Sequence, residues 1–119
     1  MTNAQVLDLY RGLNSCGNLT GEKFTFFVAK NIKKMQPEIE VIQEEIKKVQ
    51  LEYCKKDKNG DPVIKDEKYE MENLDAFDKV YKNLMNIENP IETFKIKNED
   101  IPANITASQK VGIFDLIIE

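Results

Sequence analysis

From Phe24 an apolar stripe recurs for thirty residues, and its spacing admits little except one long helix. With Ile32 taken as position a of a heptad, Ile32, Ile39, Ile46 and Tyr53 fall at a, while Met35, Ile42 and Val49 fall at d. Gln36, Gln43 and Gln50 then occupy e, and Glu38, Glu45 and Glu52 occupy g. An antiparallel pairing through this seam would bring the g glutamates together, and a parallel one would set Glu against Gln. Neither is the pattern of a free-standing zipper, so the seam is expected to pack against other helices of the same fold, a symmetry mate included. Pro37 falls at f, the outermost position, and lacks the N–H that would bond the Lys33 carbonyl. A kink near residues 33–37, or two helices nearly in line, is the expected result.

The remaining punctuation divides the chain into shorter pieces. Thr2 with Gln5 three residues on is a capping box, followed by Val6, Leu7, Leu9, Tyr10 and Leu13 at helical spacing and by Gly17 as a stop. Asn59-Gly60 marks a turn, and Pro62 to Lys65 and Tyr69 to Met71 read as two short strands joined at Asp66-Glu67. Leu74, Phe77, Tyr81 and Leu84 share a helix face that Asn89-Pro90 stops; Phe94 and Ile96 alternate as in a half-buried strand. Thr106 with Gln109 repeats the capping box before an apolar end. The predicted fold is therefore a single α+β domain over residues 1–119, mostly helical, with a small antiparallel strand element. Helices are expected over 3–15, 22–56, 74–87 and 107–118, and strands over 62–65, 68–72 and 92–97.

Composition narrows the chemistry. No apolar run approaches the ~20 residues of a membrane-spanning helix. The opening residues Met1 to Gln5 lack the basic start and apolar stretch of a secretory signal, so a cytoplasmic protein is expected. Acids outnumber bases 21 to 17 and the two interleave, which argues against recognition of nucleic acid through its phosphates. Cys16 and Cys54 stand far apart with no CxxC neighbour and are read as reduced thiols. Histidine is absent, which removes the commonest general base and the usual metal ligand together. No cofactor, no metal and no catalytic residue is expected, and the protein is read as a non-enzyme.

Two clusters invite a binding role. Asp57, Asn59 and Asp61 match positions 1, 3 and 5 of a calcium loop, but Pro62 stands where glycine is needed and Lys68 where a bidentate glutamate is needed. A solvated turn is the expected reading. The run Lys30-Asn31-Ile32-Lys33-Lys34 follows the aromatics Phe24, Phe26 and Phe27. Phe27, Lys30, Asn31, Lys33 and Lys34 are candidate ligands for an anionic or nucleotide group, the lysines acting by charge and the rings by stacking. The alternative is that the phenylalanines are core, the lysines solvate the outer face and Asn31 sets helix register.

The stretch Lys23 to Ile32, in which an apolar lead-in precedes Ala29-Lys30-Asn31, is similar to a signature of small uncharacterised proteins encoded by phages and prophages of bacteria with AT-rich genomes. Glu44-Glu45, Glu52-Tyr53 and Lys56 to Asp61 extend the likeness, as does the apolar segment after Pro102 and Thr106. The resemblance implies a phage gene acting in a bacterial cytoplasm and carries no catalytic residues with it.

The functional expectation is a non-enzymatic phage protein that binds and sequesters or blocks a host component, either a defence protein or its small nucleotide signal. The alternative is an assembly chaperone or accessory protein of the phage particle. A helix of about 45–50 Å exceeds the width of a compact domain of this size, so a homo-oligomer is expected. Met35, Ile39, Ile42, Ile46, Val49 and Tyr53 are the candidate interface with another subunit or partner.

Overall fold

The computed structural model describes all 119 residues. Helix α1 (Asn3–Ser15) opens with the reciprocal cap: the Gln5 amide donates to Thr2 Oγ1 at 3.2 Å, and the Thr2 amide donates to Gln5 Oε1 at 2.7 Å. It ends at Ser15 with Cys16 as the cap and Gly17 directly after, as the sequence predicts. Helix α2 (Glu22–Tyr53) is continuous through Pro37, which lies exposed on its outer face. It stops at Tyr53, three residues before the expected end, because Cys54 turns into extended backbone and bridges Met71.

Strands β1 (Ile64–Lys65) and β2 (Lys68–Tyr69) form an antiparallel hairpin over Asp66 and Glu67, whose φ values of 53° and 65° are both left-handed. Two such residues are the mark of the tight turn that matches strand twist. Around the hairpin, Lys55 takes the place of a third strand, accepting from the Val63 amide at 2.8 Å and donating to the Glu70 carbonyl at 2.7 Å. The Asp57 carboxylate closes its own loop by accepting from the Asn59 and Asp61 amides at 2.8 and 3.0 Å. Helix α3 (Leu74–Met85), capped by Asn73, then runs back along α2.

The last third departs from expectation. The strand expected over 92–97 shrinks to β3 (Ile96–Lys97), and the helix expected over 107–118 becomes α4 (Ala107–Gly112), a 3-10 turn at Phe114–Leu116 and β4 (Ile117–Ile118). Glycine is a poor helix former and the Ile117-Ile118 pair is β-branched, so the helix fails where the local propensities fall. Strands β3 and β4 pair in parallel, Ile96 against Ile117 and Lys97 against Ile118. Parallel pairing requires a crossover, and α4 lies within it.

The core sits at one end. Val6, Leu9 and Leu13 of α1, Phe24, Val28, Met35, Ile39 and Ile42 of α2, Ile96, Ile113 and Leu116 pack into one cluster. Gln109 fastens α4 there, its Nε2 donating to the Ser15 carbonyl at 2.9 Å and to Asn18 Oδ1 at 2.8 Å. Gly12 and Gly112 touch backbone to backbone where α1 crosses α4. The molecule extends 58 × 28 × 22 Å, with the hairpin and the start of α3 at the far tip. No helix is long and apolar enough to cross a membrane.

Candidate binding surfaces

Three surfaces deserve a chemical reading: the lysine run of α2, the apolar stripe below it and the concavity at the tip. The first is organised by Asn31, which is fully buried. Its Nδ2 donates to the Phe27 and Phe94 carbonyls, both at 2.9 Å, and its Oδ1 accepts from the Phe94 amide at 2.8 Å. One side-chain amide therefore satisfies both backbone groups of Phe94, as a neighbouring strand would. This is why Thr93 and Phe94 form no ladder although their sequence reads as strand.

Held this way, the Phe94 ring lies beneath two cations. Lys30 Nζ stands 4.0 Å and Lys34 Nζ 4.8 Å from its centroid, and Lys30 also reaches Phe26 at 5.6 Å. Phe27 is half-buried and packs its ring edge-on against Phe26, 5.5 Å away. Lys33 is exposed and makes no ion pair. Of the five candidate ligands, then, Lys30 and Lys34 converge on one ring, Asn31 is spent on the fold, Phe27 supports from below and Lys33 stands apart. The lysines lie on a convex helix face, and none of the larger cavities is lined by any of the three. Phe94 was readable only as a strand residue; the signal for its role was an amide placed beside an apolar seam, which must find polar partners when buried.

The first half of the stripe packs, as expected, against other helices of the same chain. Met35, Ile39 and Ile42 are 0%, 4% and 3% exposed, covered within the cluster that α1 shares with α2. Ile46, Val49 and Tyr53 are half-buried, and Ile46 still touches that cluster. Short helices folded back along α2 cover the first half of the seam, while Ile46, Val49 and Tyr53 keep part of their surface exposed.

The tip carries the largest concavity, about 600 Å³, lined by Gln50, Ile64, Glu67, Lys68, Tyr69, Met71, Leu74 and Phe77. Ile64 and Leu74 are 64% and 58% exposed at its walls, and Phe77 stacks on Tyr81 behind it. The floor is apolar and the charged groups, Glu67 and Lys68, come from the hairpin turn and β2. The hairpin and the α3 face were both legible in sequence, but not that they would meet over Gln50.

A smaller apolar cavity of about 200 Å³ lies between the end of α1 and the first turns of α2, walled by Cys16, Leu19, Phe24, Val28 and Ile32. Burial pushes the Cys16 thiol above its ordinary range, partly opposed by a hydrogen bond from Ser15. Cys54 is also a free, buried thiol. No three acidic, cysteine or histidine side chains come together as a metal site would require. No protein-family model, no curated protein and no solved structure matches this chain.

Proposed function

We propose that this chain is a non-enzymatic binding protein of phage origin, acting in the bacterial host cytoplasm by occupying and blocking a host protein. The observation that carries the reading is the concavity at the tip: apolar walls from Ile64, Tyr69, Met71, Leu74 and Phe77 stand open to solvent beside a Glu67–Lys68 rim. An exposed apolar hollow with a polar rim is the composition of a protein contact. The partner is a segment that inserts one or two aliphatic or aromatic side chains. A small nucleotide signal held by Phe27, Lys30, Asn31, Lys33 and Lys34 has less support, since Asn31 has no free polar atom and the lysines enclose no volume. The phage origin rests on the sequence resemblance, and self-association is part of the same proposal.

Pull-down from infected cells tests it, comparing the wild-type chain with an Ile64→Asp/Leu74→Asp variant of unchanged helicity. Recovery of a host protein by the wild type and not by the variant supports the reading. Recovery of virion components would favour the assembly role, and identical recoveries from both chains would overturn the groove as the contact.

A further inference from the structure

The outer face of α2 carries charges that form no ion pair within the subunit, Lys30 and Lys34 meeting the Phe94 ring at 4.0 and 4.8 Å. Lys30, Lys33, Lys34, Glu40 and Glu44 are all exposed, and none enters an ion pair. Glu38 stands four residues beyond Lys34, the usual spacing for an attractive pair, but its Oε2 accepts from Asn89 Nδ2 at 3.3 Å. Two of the i,i+4 pairs about Pro37 are of like sign, Lys30 with Lys34 and Glu40 with Glu44, although Glu44 also has Lys48 four residues on. Up to Pro37 the helix holds four lysines and one glutamate; beyond it, five glutamates and two lysines. That order adds to the helix macrodipole, positive at its start and negative at its end, where stabilising charges would oppose it. On either side of Pro37, α2 thus sets like charges one turn apart.

The pattern has a symmetry. Lys30 lies seven residues before Pro37 and Glu44 seven after; Lys34 lies three before and Glu40 three after; Lys33 and the exposed Val41 are each four away. At 3.6 residues per turn, all of these point within about 60° of the Pro37 direction. Reversing the helix about Pro37 therefore exchanges Lys30 with Glu44 and Lys34 with Glu40 on the same face, and Lys33 with Val41. Such an arrangement is complementary to itself and has no comparable reason to suit an unrelated surface.

We infer that two copies of this chain pair antiparallel along the outer face of α2, about a two-fold axis at Pro37. Lys30 then meets Glu44 of the partner subunit and Lys34 meets Glu40 of the partner subunit, each pair occurring twice. Pro37 presents a ring and no unsatisfied N–H at the axis, and the Lys33 stem lies over Val41 of the partner subunit. The interface uses the charged face, not the heptad seam, whose first half the subunit has already buried. It stands whatever fills the groove. Because the groove lies near Gln50, the dimer carries its two grooves at opposite ends, roughly 40 Å apart along the helices.

Sedimentation equilibrium of the full chain tests this. The wild type is expected to weigh two chains at low salt and to shift toward one as salt rises, since exposed pairs are screened. Lys34→Glu and Glu40→Lys are each expected to weaken the dimer about tenfold or more, because each replaces two attractions by two repulsions. The double variant Lys34→Glu/Glu40→Lys is expected to restore it. Six residues apart on a helix, those side chains cannot touch within a subunit, so restoration reports contact between subunits. Circular dichroism checks that all variants keep the same helix content. A wild type that stays single at low salt and high concentration, or a double variant as dissociated as its parents, would overturn the inference.

Discussion

Replacing Asn31 tests how far the amide clamp on Phe94 holds the fold together. Asn31→Leu keeps the volume and removes three hydrogen bonds at once, leaving the Phe94 N–H and C=O without partners. An orphaned polar group costs about 1–3 kcal/mol, so the two together cost about 2–6 kcal/mol. Burying a leucine side chain in place of the amide returns about 2 kcal/mol. Phe94 is half-buried and water can reach part of it, which sets the cost near the middle of that range, about 4 kcal/mol, and not at its top. The expected net loss is about 2 kcal/mol for Asn31→Leu and about 4 kcal/mol for Asn31→Ala, which has no apolar compensation and leaves a cavity. With a urea slope of about 1.5 kcal/mol/M, the leucine variant should unfold at roughly 1.3 M less urea, with an unchanged slope. Exchange of the Phe94 amide hydrogen should accelerate in step. A leucine variant as stable as the wild type would show that the clamp contributes nothing net and that apolar packing alone seats Phe94.

Two further substitutions probe the core end. Gly12→Ala would set a methyl 2.5 Å from the carbonyl carbon and 2.9 Å from Cα of Gly112, both backbone atoms that no rotamer change can move. The resulting overpacking, about 3 kcal/mol or more, outweighs the roughly 1 kcal/mol gained from helix propensity; a rise in melting temperature would refute the close crossing of α1 and α4. Cys16 has a thiol whose folded pKa is raised by burial, so the unfolded chain releases its proton first as pH rises. The stability present at neutral pH is accordingly lost through the alkaline window between the unfolded and folded values, and Cys16→Val should show a shallower fall in urea midpoint from about pH 8 to 10. Parallel falls in the two proteins would show that the thiol is not shielded.

What was legible in the sequence is what neighbours along the chain decide. The Thr2 and Thr106 caps, the limits of α1 and the Asp66-Glu67 turn each depend on residues within a few positions, and all of them stand. The long helix was legible from periodicity, but not its course through Pro37: at an exposed f position the ring meets solvent, and packing on either side carries the helix across. What covers the stripe was not legible, because a heptad seam reads the same whether filled by another chain or by helices folded back from this one. The same limit hid the Asn31–Phe94 clamp, which joins residues 63 positions apart, and the parallel pairing of Ile117 with Ile96. The site followed suit: Lys30 and Lys34 could be singled out, whereas the ring beneath them and the groove at the tip depend on distant segments meeting.

Between Gln43 and Leu84 only Cys54 is buried, while the opposite end holds nearly all of the closely packed interior. The chain thus has a densely packed end and a sparsely packed tip joined by one continuous helix. Regions with few buried apolar contacts open at lower free energy than the whole. Local opening is therefore expected to begin at the tip while the packed end stays folded, so amide exchange should be fastest there.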